Sequence, residues 1–260
     1  MTIPKNLEVL NNIARRIGKK NNLTIIEVGA LNCQETLSFN KLFPESHIFT
    51  FECNPATIPI CREAVSKFPN IKLTEKAVTD ENGTITFHPI DQEKTKTSHL
   101  DGNPGASSIF KASGKYKVET YVQKEITVDS IRLDNFVEKE KIEKIDIMWM
   151  DIQGAELKAL HGLGKYIYSL DCLHTEVEFI EIYTGQPLFG DIRKYCETHD
   201  LVFICFASFG IYFGDAIFVN KKLLKGKLGF QLRMLRWSSL FKFTLHRKIK
   251  PWMKKLLFLN

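Results

Sequence analysis

The chain has 260 residues, of which 44% are hydrophobic and 25% are charged, and its formal net charge is +6. This composition is ordinary for a globular protein and excludes an intrinsically disordered or fibrous chain. The first residues lack the apolar core of a secretion signal, and no uncharged apolar stretch reaches the roughly 18 residues that cross a bilayer. A chain of this length can bury one full core, so we expect a single α/β domain.

Helices and strands alternate along the first third of the chain. Apolar residues at helical spacing predict three helices, at 6–19, 35–42 and 56–67. Short apolar runs predict three strands, at 24–28, 48–52 and 71–75. The pair Asn54 and Pro55 is a plausible cap and first turn for the third helix. A further strand at 84–89 follows the turn-forming pair Asn82 and Gly83.

A long polar segment separates this region from the rest of the chain. Residues 91–115 are rich in Asp, Lys, Thr, Ser and Gly, which predicts a loop of the kind that is usually functional or disordered. Beyond it, strands are predicted at 116–128, 145–150 and 171–178, and helices at 130–140, 154–161 and 189–199. Residues 203–206 and 211–219 predict a closing hairpin. Repeated β–α–β units indicate a parallel sheet with right-handed crossovers.

The first predicted strand ends in a turn that has the pattern of a ligand-binding site. Gly29 follows this strand, and the acid Glu52 ends the next strand 23 positions later (52 − 29). In dinucleotide-binding folds an acid at about this spacing accepts hydrogen bonds from ribose hydroxyls. Leu31 and Cys33 stand where a pyrophosphate cradle would need further glycines, which disfavours NAD and FAD. A nucleoside without a pyrophosphate, such as S-adenosylmethionine, needs only Gly29 and Glu52.

A second strand-to-helix turn contains the candidate reaction site. The apolar run 145–150 is typical of a strand buried on both faces, and it ends at Asp151. Gly154 follows and opens the next predicted helix. Open α/β sheets bind ligands at the carboxyl ends of their strands, so Asp151 is expected to lie at the site.

An ordered set of short blocks extends from about residue 24 to residue 220. The strongest block is 149–157, with the sequence WMDIQGAEL, followed by 160–162. The other blocks are 27–30, 51–55, 77–80 with Gly83, 107–108, 128–134, 176–178 and 183–186. Together they resemble the FkbM-type S-adenosylmethionine-dependent methyltransferases. This chain departs from that pattern at Trp149, Gln153 and Cys33, where lysine, glutamate and glycine are frequent.

The resemblance implies a fold and a reaction. The implied fold is the Rossmann-like class I methyltransferase fold, an α/β structure with a mostly parallel seven-stranded sheet, an antiparallel C-terminal hairpin and helices on both faces. The implied domain spans 1–220, with an N-terminal helix in 1–22. The implied reaction is O-methylation, often of sugar hydroxyls in glycans or natural products. The expected cofactor is S-adenosyl-L-methionine.

The predicted cofactor-binding residues lie at strand ends or in the long loop. They are Glu27, Gly29, Ala30, Glu52, Cys53, Ala77, Asp80, Ser107, Ser108 and Asp151. For Glu27, Gly29 and Glu52 the alternative is a tight turn flanked by two solvated acids. Asp80 either faces the adenine end or belongs to an ordinary turn. The two serines either bind the methionine carboxylate or an acceptor, or are merely solvated.

The predicted catalytic residues are Asp151, Glu176 and His174. His174 and Glu176 alternate with Glu178 along one predicted strand and so share one face of it. Acids on a buried strand are costly unless they are paired or functional, so one of these side chains is the candidate general base. The resemblance implies Glu176 first, because it matches a glutamate block of the family. The alternatives are a helix cap for Asp151 and a core position for His174. The other histidines form no ligand set, and no required metal is predicted.

Charge divides the chain near residue 220. The last acid is Asp215, and residues 221–260 contain twelve Lys and Arg, so residues 1–220 have a net charge of −6 (24 − 30). The 221–260 tail is predicted to hold the protein at an anionic membrane surface. Five tail residues form one helical stripe: Phe230, Met234, Trp237, Phe241 and Leu245. The alternative is a helical subdomain that packs on the sheet or on a second subunit.

Compartment and partners follow from the same features. Six cysteines without metal-ligand or C-x-x-C spacing indicate buried free thiols in a reducing compartment, and so a cytoplasmic protein. The 221–260 tail would place it peripherally on the inner face of the membrane. The expected partner is a saccharide or a lipid-linked glycan. An RNA 2′-O-methyltransferase with the tail as its RNA-binding element is the alternative, although an acidic domain disfavours nucleic acid. A second alternative is a non-catalytic cofactor-binding scaffold. The sequence leaves the oligomeric state open.

Overall fold

The structure is a computed structural model that describes residues 5–18 and 21–257, with side chains for 7–18 and 21–246. The parts of the predicted N-terminal helix and C-terminal tail that fall on residues 1–4, 19–20 and 258–260 lie outside the described residues.

Ten strands and seven α-helices make up the described chain. The strands are β1 (Thr24–Val28), β2 (His47–Phe51), β3 (Ile71–Thr74), β4 (Ala77–Val78), β5 (Gly83–Phe87), β6 (Ile126–Ile131), β7 (Ile145–Met150), β8 (Leu170–Glu178), β9 (Leu201–Phe209) and β10 (Phe213–Asn220). The helices are α1 (Lys5–Arg16), α2 (Gln34–Leu42), α3 (Ile58–Val65), α4 (Leu133–Lys139), α5 (Glu156–Leu163), α6 (Phe189–Thr198) and α7 (Gly226–Leu257).

Seven strands form the main sheet in the order β3-β2-β1-β7-β8-β10-β9. The first five in this order are parallel, and β10 is antiparallel to both β8 and β9. The predicted fold class is therefore confirmed: the sheet is mostly parallel and ends in an antiparallel hairpin. This order brings the carboxyl ends of β1, β2, β7 and β8 to one edge of the sheet.

The core lies on both faces of that sheet. Every residue of β7 is buried, because β7 is the central strand and helices cover it on both sides. Met148 and Met150 join the cluster on one face, with residues of α4, α5 and α6. Ile147 and Trp149 join the cluster on the other face, with residues of α1, α2 and α3. This alternation follows from the two-residue period of a strand.

Two predictions about local structure are wrong. The strand predicted at 116–128 begins only at Ile126, and residues 116–125 make isolated bridges across the long loop instead. The third helix is present at Ile58–Val65, but Asn54 and Pro55 are not its cap and first turn. Its N-cap is Thr57, because the Asn54 side chain accepts the N–H of Ala56 and closes a separate turn before the helix. A small second sheet, in the order β4-β6-β5, supports the long loop from one side.

Helix α7 packs along the outer strand β9. Leu232 is fully buried, and the Ser239 hydroxyl accepts the N–H of Phe206 at 3.0 Å. Arg236 also forms an ion pair with Glu197 of α6, with 2.7 Å between the nitrogen and the carboxylate oxygen. In the part of the chain that the structure describes, no helix has the length and apolar character needed to span a membrane.

Candidate functional site

The turn after β1 is built around Gly29. Its φ is +91°, in the left-handed region that favours glycine, and its N–H and that of Ala30 both donate to the carbonyl of Phe51 at 3.0 Å. A Cβ atom on Gly29 would lie 2.0 Å from the backbone oxygen of Asp151. Glycine is therefore required here, because the ends of β1 and β7 touch at this position.

Glu52 ties this turn to the next one. Its Oε2 accepts the N–H of Leu31 at 2.7 Å, and its Oε1 accepts those of Cys53 at 2.8 Å and Asn54 at 2.7 Å. With these three backbone donors, and with the Thr57 side chain also hydrogen-bonded to it, the Glu52 carboxylate has most of its acceptor positions filled. Burial raises the pKa of Glu52, while the backbone donors oppose that effect.

A cavity of about 590 Å³ opens in front of this turn, and we call it the Gly29 cavity. It lies between the ends of β1, β2 and β7 and is closed by part of the long loop. Six predicted cofactor-binding residues line it: Gly29, Glu52, Cys53, Ala77, Ser107 and Asp151. The sequence did not indicate its apolar walls, which include Leu31, Phe51, Phe87, Ile109 and Ile152.

The other predicted cofactor-binding residues do not line this cavity. Glu27 is fully buried beneath it, accepts hydrogen bonds from the hydroxyls of Thr36 and Thr50, and has its pKa raised to about 8 by burial. Ala30 is buried in the core. Asp80 forms an ion pair with Lys158, with 2.8 Å between nitrogen and oxygen.

The two loop serines have different roles in the structure. The Ser107 hydroxyl donates to the carbonyl of Pro104 at 2.6 Å and accepts the N–H of Ile90 at 3.0 Å, so Ser107 shapes the wall of the Gly29 cavity. Ser108 is almost fully buried, and its hydroxyl donates to the carbonyl of Gln153 at 2.7 Å. It therefore braces the turn after β7.

A second cavity, of about 790 Å³, lies beside the first, and we call it the Glu176 cavity. Asp151 and Gly105 line both cavities, so the two meet at the carboxyl end of β7. Its wall contains aromatic and acidic side chains: Tyr116, Tyr121, Phe213, Glu119, Asp151 and Glu176. None of its described lining residues is Lys or Arg.

Gln153 connects the two carboxylates at the junction of the cavities. Its amide nitrogen donates to Asp151 at 2.8 Å and to Glu176 at 2.6 Å. Its amide oxygen accepts the hydroxyl of Tyr183 at 2.8 Å, which fixes the orientation of the amide. The backbone of Gln153 has a φ of +54°, and the hydrogen bond from Ser108 supports this left-handed conformation. Gln153 thus holds Asp151 and Glu176 together.

The structure contradicts the helix-cap interpretation of Asp151. Helix α5 begins at Glu156, and its N-cap position is Ala155. The N–H of Ile152 donates to the Glu156 carboxylate at 2.9 Å. The side chain that accepts a backbone N–H before this helix is therefore Glu156 and not Asp151. The Asp151 side chain is instead exposed to the two cavities.

Acidic neighbours dominate the electrostatics of the junction. Burial, and then the nearby charges of Asp151, Glu178 and Glu156, hold the pKa of Glu176 well above its ordinary value. Burial raises the pKa of Glu156 to about 7 and that of Asp215 to about 6. Glu176 can therefore take and release a proton closer to neutral pH than an ordinary glutamate can.

His174 lies in the core, two residues before Glu176 on the same strand. Its ring stacks on Trp149, with 3.6 Å between the centroids and 2° between the planes, and it is 1% exposed. Burial lowers the pKa of His174 to about 3, so the ring is neutral. It lines neither cavity. The structure thus brings together Asp151 and Glu176 and leaves His174 beneath them.

Sequence reasoning missed the loop residues that form the Glu176 cavity. Glu119 accepts hydrogen bonds from Tyr121 at 2.6 Å, from Asn103 at 3.1 Å and from Thr97, and so holds three parts of the long loop together. The only signal was the length and polarity of the loop itself. Within 5–18 and 21–257, no group of three or more His, Cys, Asp or Glu has the geometry of a metal site.

Comparison with known proteins adds four findings. Residues 27–204 match the family described as the methyltransferase FkbM domain. The chain is 30% identical over 204 residues to 2-O-methyltransferase NoeI of Sinorhizobium fredii, covering 76% of this chain and 80% of that protein. It is 24% identical over 166 residues to hexuronic acid methyltransferase AglP of Haloferax volcanii, covering 61% of each. Fibrillarin of Aeropyrum pernix with natively bound S-adenosyl-L-methionine aligns with a TM-score of 0.44 at 12% identity, covering 77% of this chain and 67% of that one.

Proposed function

Since the chain belongs to the FkbM methyltransferase family, we propose that this S-adenosylmethionine-dependent enzyme methylates a sugar hydroxyl of a glycan or a glycosylated metabolite. The observation that carries the proposal is the junction of two cavities at Asp151, where Gln153 holds the carboxylates of Asp151 and Glu176 side by side. One cavity suits the cofactor and the other the acceptor, so that the two reactants meet at a pair of acids.

The Gly29 cavity fits S-adenosylmethionine by its chemistry. Its walls are mostly apolar with a few polar groups, as is usual for small-molecule sites. Glu52 lines the cavity, where its carboxylate can accept a ribose hydroxyl, and the backbone at Gly29 leaves no room for a side chain. When bound, S-adenosylmethionine supplies a methyl group that is already activated by its sulfonium.

Glu176 is the general base in this proposal. A hydroxyl acceptor must lose its proton as the new C–O bond forms, and the base needs a pKa near the working pH. Burial and the neighbouring acids raise the pKa of Glu176 in that direction. Asp151 faces both cavities and positions the acceptor, while Gln153 donates to both carboxylates and keeps them from moving apart. His174, although on the same strand, is neutral and buried, so it acts through packing under the site.

The lining of the Glu176 cavity supports a neutral or cationic sugar as the acceptor. Tyr116 and Tyr121 offer aromatic faces, and Glu119, Asp151 and Glu176 offer acceptors for hydroxyl donors. A hexuronate or a phosphate would bring a negative charge to these three carboxylates, and the described lining residues include no Lys or Arg. We therefore propose a neutral sugar or an amino sugar at the methylated position, in contrast to the hexuronic acid named for the Haloferax relative.

The same charge argument weighs against RNA as the acceptor, since RNA has a phosphate at every nucleotide. A glycan carried on a lipid remains compatible with the cavity, because only its sugar enters the site. We propose such a lipid-linked glycan as the acceptor, with the enzyme peripheral at a membrane. The basic segment 221–260 supports this part of the proposal.

The test uses the purified full chain and S-adenosylmethionine with a labelled methyl group. Calorimetry first measures cofactor binding. The enzyme is then offered neutral oligosaccharides, amino-sugar oligosaccharides, hexuronate oligosaccharides and RNA, with Glu176→Gln as the control variant. We expect label on a neutral or amino sugar, in an ether that survives mild base. Label on hexuronate or RNA contradicts the acceptor assignment, and equal transfer by Glu176→Gln contradicts the role of Glu176 as the base.

A further inference from the structure

Helix α7 has two apolar faces, and only one of them contacts the protein. Leu232 and Ser239 are buried, and Leu240 and Phe243 pack against the core cluster of α4, α5 and α6. The opposite side presents the stripe that the sequence indicated. Its five members are exposed: Phe230 (61%), Met234 (56%), Trp237 (74%), Phe241 (68%) and Leu245 (45%).

Helical geometry places these faces back to back. At about 100° per residue, the five exposed side chains centre about 180° from Leu232 and Ser239. The stripe therefore cannot turn inward unless the contacts of Ser239 with Phe206 and of Arg236 with Glu197 are broken. The stripe extends over about four turns of one helix, whereas single exposed apolar residues are normal on a protein surface.

We propose that this face of α7 docks on an anionic lipid bilayer, with the helix lying in the interface. Its charge supports that occupant: the chain has no acid after Asp215, and the exposed Lys227, Arg233 and Lys242 lie among and beside the stripe. A helix of this kind inserts its aromatic and aliphatic side chains at the level of the lipid headgroups while its cations bind the anionic surface.

A second copy of the chain is a poorer fit for the same face. Two copies related by a twofold axis would bring identical cationic helices together, and like charges across an interface disfavour association. RNA is also a poorer fit, since residues 1–220 have a net charge of −6 and the most exposed part of the face is apolar (24 − 30).

The position of α7 relates this surface to the Glu176 cavity. Phe243 and His246 contact Phe209 at the end of β9, with ring centroids 5.7 Å and 5.2 Å apart. Phe209 in turn lies beside the first residues of β10, where Phe213 lines the Glu176 cavity. The helix thus runs toward the edge of the sheet where the two cavities open. A bilayer held by α7 would lie near that edge.

Flotation of the full chain with vesicles tests the proposal without any sugar. One set of vesicles contains phosphatidylglycerol in phosphatidylcholine, and the other contains phosphatidylcholine alone. We expect flotation with the anionic set and little with the neutral set, weakening as salt is added. Because the assay contains no acceptor, its outcome is independent of the proposed reaction.

Two variants and one control locate the contact. Trp237→Ser with Phe241→Ser should lower the partition coefficient by about tenfold or more, because two aromatic side chains no longer insert. Arg233→Gln with Lys242→Gln should lower it by roughly fivefold for each charge removed. The control, Ile60→Ser with Tyr168→Ser, removes exposed apolar side chains (52% and 53%) elsewhere and should float like the unaltered protein.

Folding and the rival occupants are checked with the same proteins. All variants change exposed residues, so their thermal unfolding and their affinity for S-adenosylmethionine should be unchanged. The proposal is overturned if the unaltered chain does not float, or if the Trp237→Ser, Phe241→Ser variant floats equally well. It is also overturned if that variant instead converts a stable dimer to a monomer or abolishes RNA binding, since another occupant would then cover the face.

Discussion

The two cavities that meet at Asp151 are built in different ways. The Gly29 cavity is formed by strand ends and tight turns, where backbone groups of Gly29, Ala30 and Leu31 have fixed partners. The Glu176 cavity is formed by side chains of the long loop, held by contacts such as those of Glu119. The first is therefore set by the fold and suits a cofactor common to a family, while the second depends on individual side chains and suits a selected acceptor.

The largest expected effect tests the junction between the cavities. Glu176→Gln and Asp151→Asn should each lower the rate of methyl transfer, by roughly 10²–10⁴ for the loss of the base, while the fold and the cofactor affinity stay near normal. Single-turnover transfer of labelled methyl measures this. Near-normal transfer by both variants would place the proton acceptor elsewhere.

The pH dependence of the unaltered enzyme belongs to the same test. Glu176 must lose its proton to act as a base, and its pKa is raised by burial and by the surrounding acids. The transfer rate should therefore rise with pH, with a midpoint above the ordinary pKa of a glutamate. In Glu176→Gln this limb of the profile should disappear.

A second prediction concerns the rigid turn of the Gly29 cavity. Gly29→Ala should lower the free energy of unfolding by about 2–4 kcal/mol, since the new Cβ meets the Asp151 carbonyl and the backbone is left-handed. Gly114→Ala in the long loop is the matched control, because its φ is +70° but no atom lies within 4 Å of the new Cβ. It should cost about 1–2 kcal/mol. Equal losses, measured by denaturant unfolding, would mean that the contact with Asp151 is unimportant.

The same contrast explains what could be predicted from the sequence. Strands β1 and β7 have the predicted bounds, because a buried strand followed at once by a glycine turn leaves a clear pattern. Gly29, Glu52 and Asp151 were found through that pattern, and all three line the Gly29 cavity. Tyr116 and Glu119, which line the Glu176 cavity, were wrongly assigned to a strand. Their contacts run between side chains across the long loop, and such contacts leave no periodic pattern in the sequence.

Helix α7 shows a different limit of prediction from the sequence. The spacing of Phe230, Met234 and Trp237 predicted one helical stripe, and the structure presents this stripe to solvent. The sequence could not decide which face contacts the domain, because Leu240 and Phe243 also make the other side apolar. Which face of α7 packs on the domain depends on its contacts with Phe206 of β9 and Glu197 of α6, and the sequence of α7 does not show these contacts.

A third prediction addresses the cofactor alone. Glu52→Ala should weaken S-adenosylmethionine binding by about 1.5–3 kcal/mol, or roughly ten- to a hundredfold, through lost hydrogen bonds to the ribose and to the turn. Glu75→Ala is the control, since Glu75 forms only a surface ion pair with Arg62. Calorimetry on folded protein measures both. An unchanged affinity in Glu52→Ala would contradict the ribose assignment.

A fourth prediction uses the buried acid beneath the Gly29 cavity. Burial raises the pKa of Glu27 from its ordinary value of 4.5 to about 8, so the folded state retains a proton that the unfolded state releases near 4.5. The stability that this group contributes is complete below pH 4.5 and is lost as the pH rises through about 8. Between pH 7 and pH 9 the loss should be about 1.4 kcal/mol. Glu27→Gln cannot titrate, so unfolding at the two pH values should show a smaller difference, and an equal slope would argue against a protonated Glu27.

The smallest expected effect lies in the Glu176 cavity. Glu119 accepts hydrogen bonds from Tyr121, Asn103 and Thr97, and Glu119→Gln places an amide nitrogen among those donors. One hydrogen bond of this kind is worth about 0.5–1.5 kcal/mol, so we expect KM for the acceptor to rise by roughly two- to tenfold. The affinity for S-adenosylmethionine should be unchanged, because Glu119 does not line the Gly29 cavity. Steady-state kinetics with the sugar, set beside calorimetry with the cofactor, separates the two readouts. If Glu119→Gln weakens cofactor binding as much as acceptor binding, the cavities are coupled through the long loop, and their division into a fold-determined half and a side-chain-determined half fails.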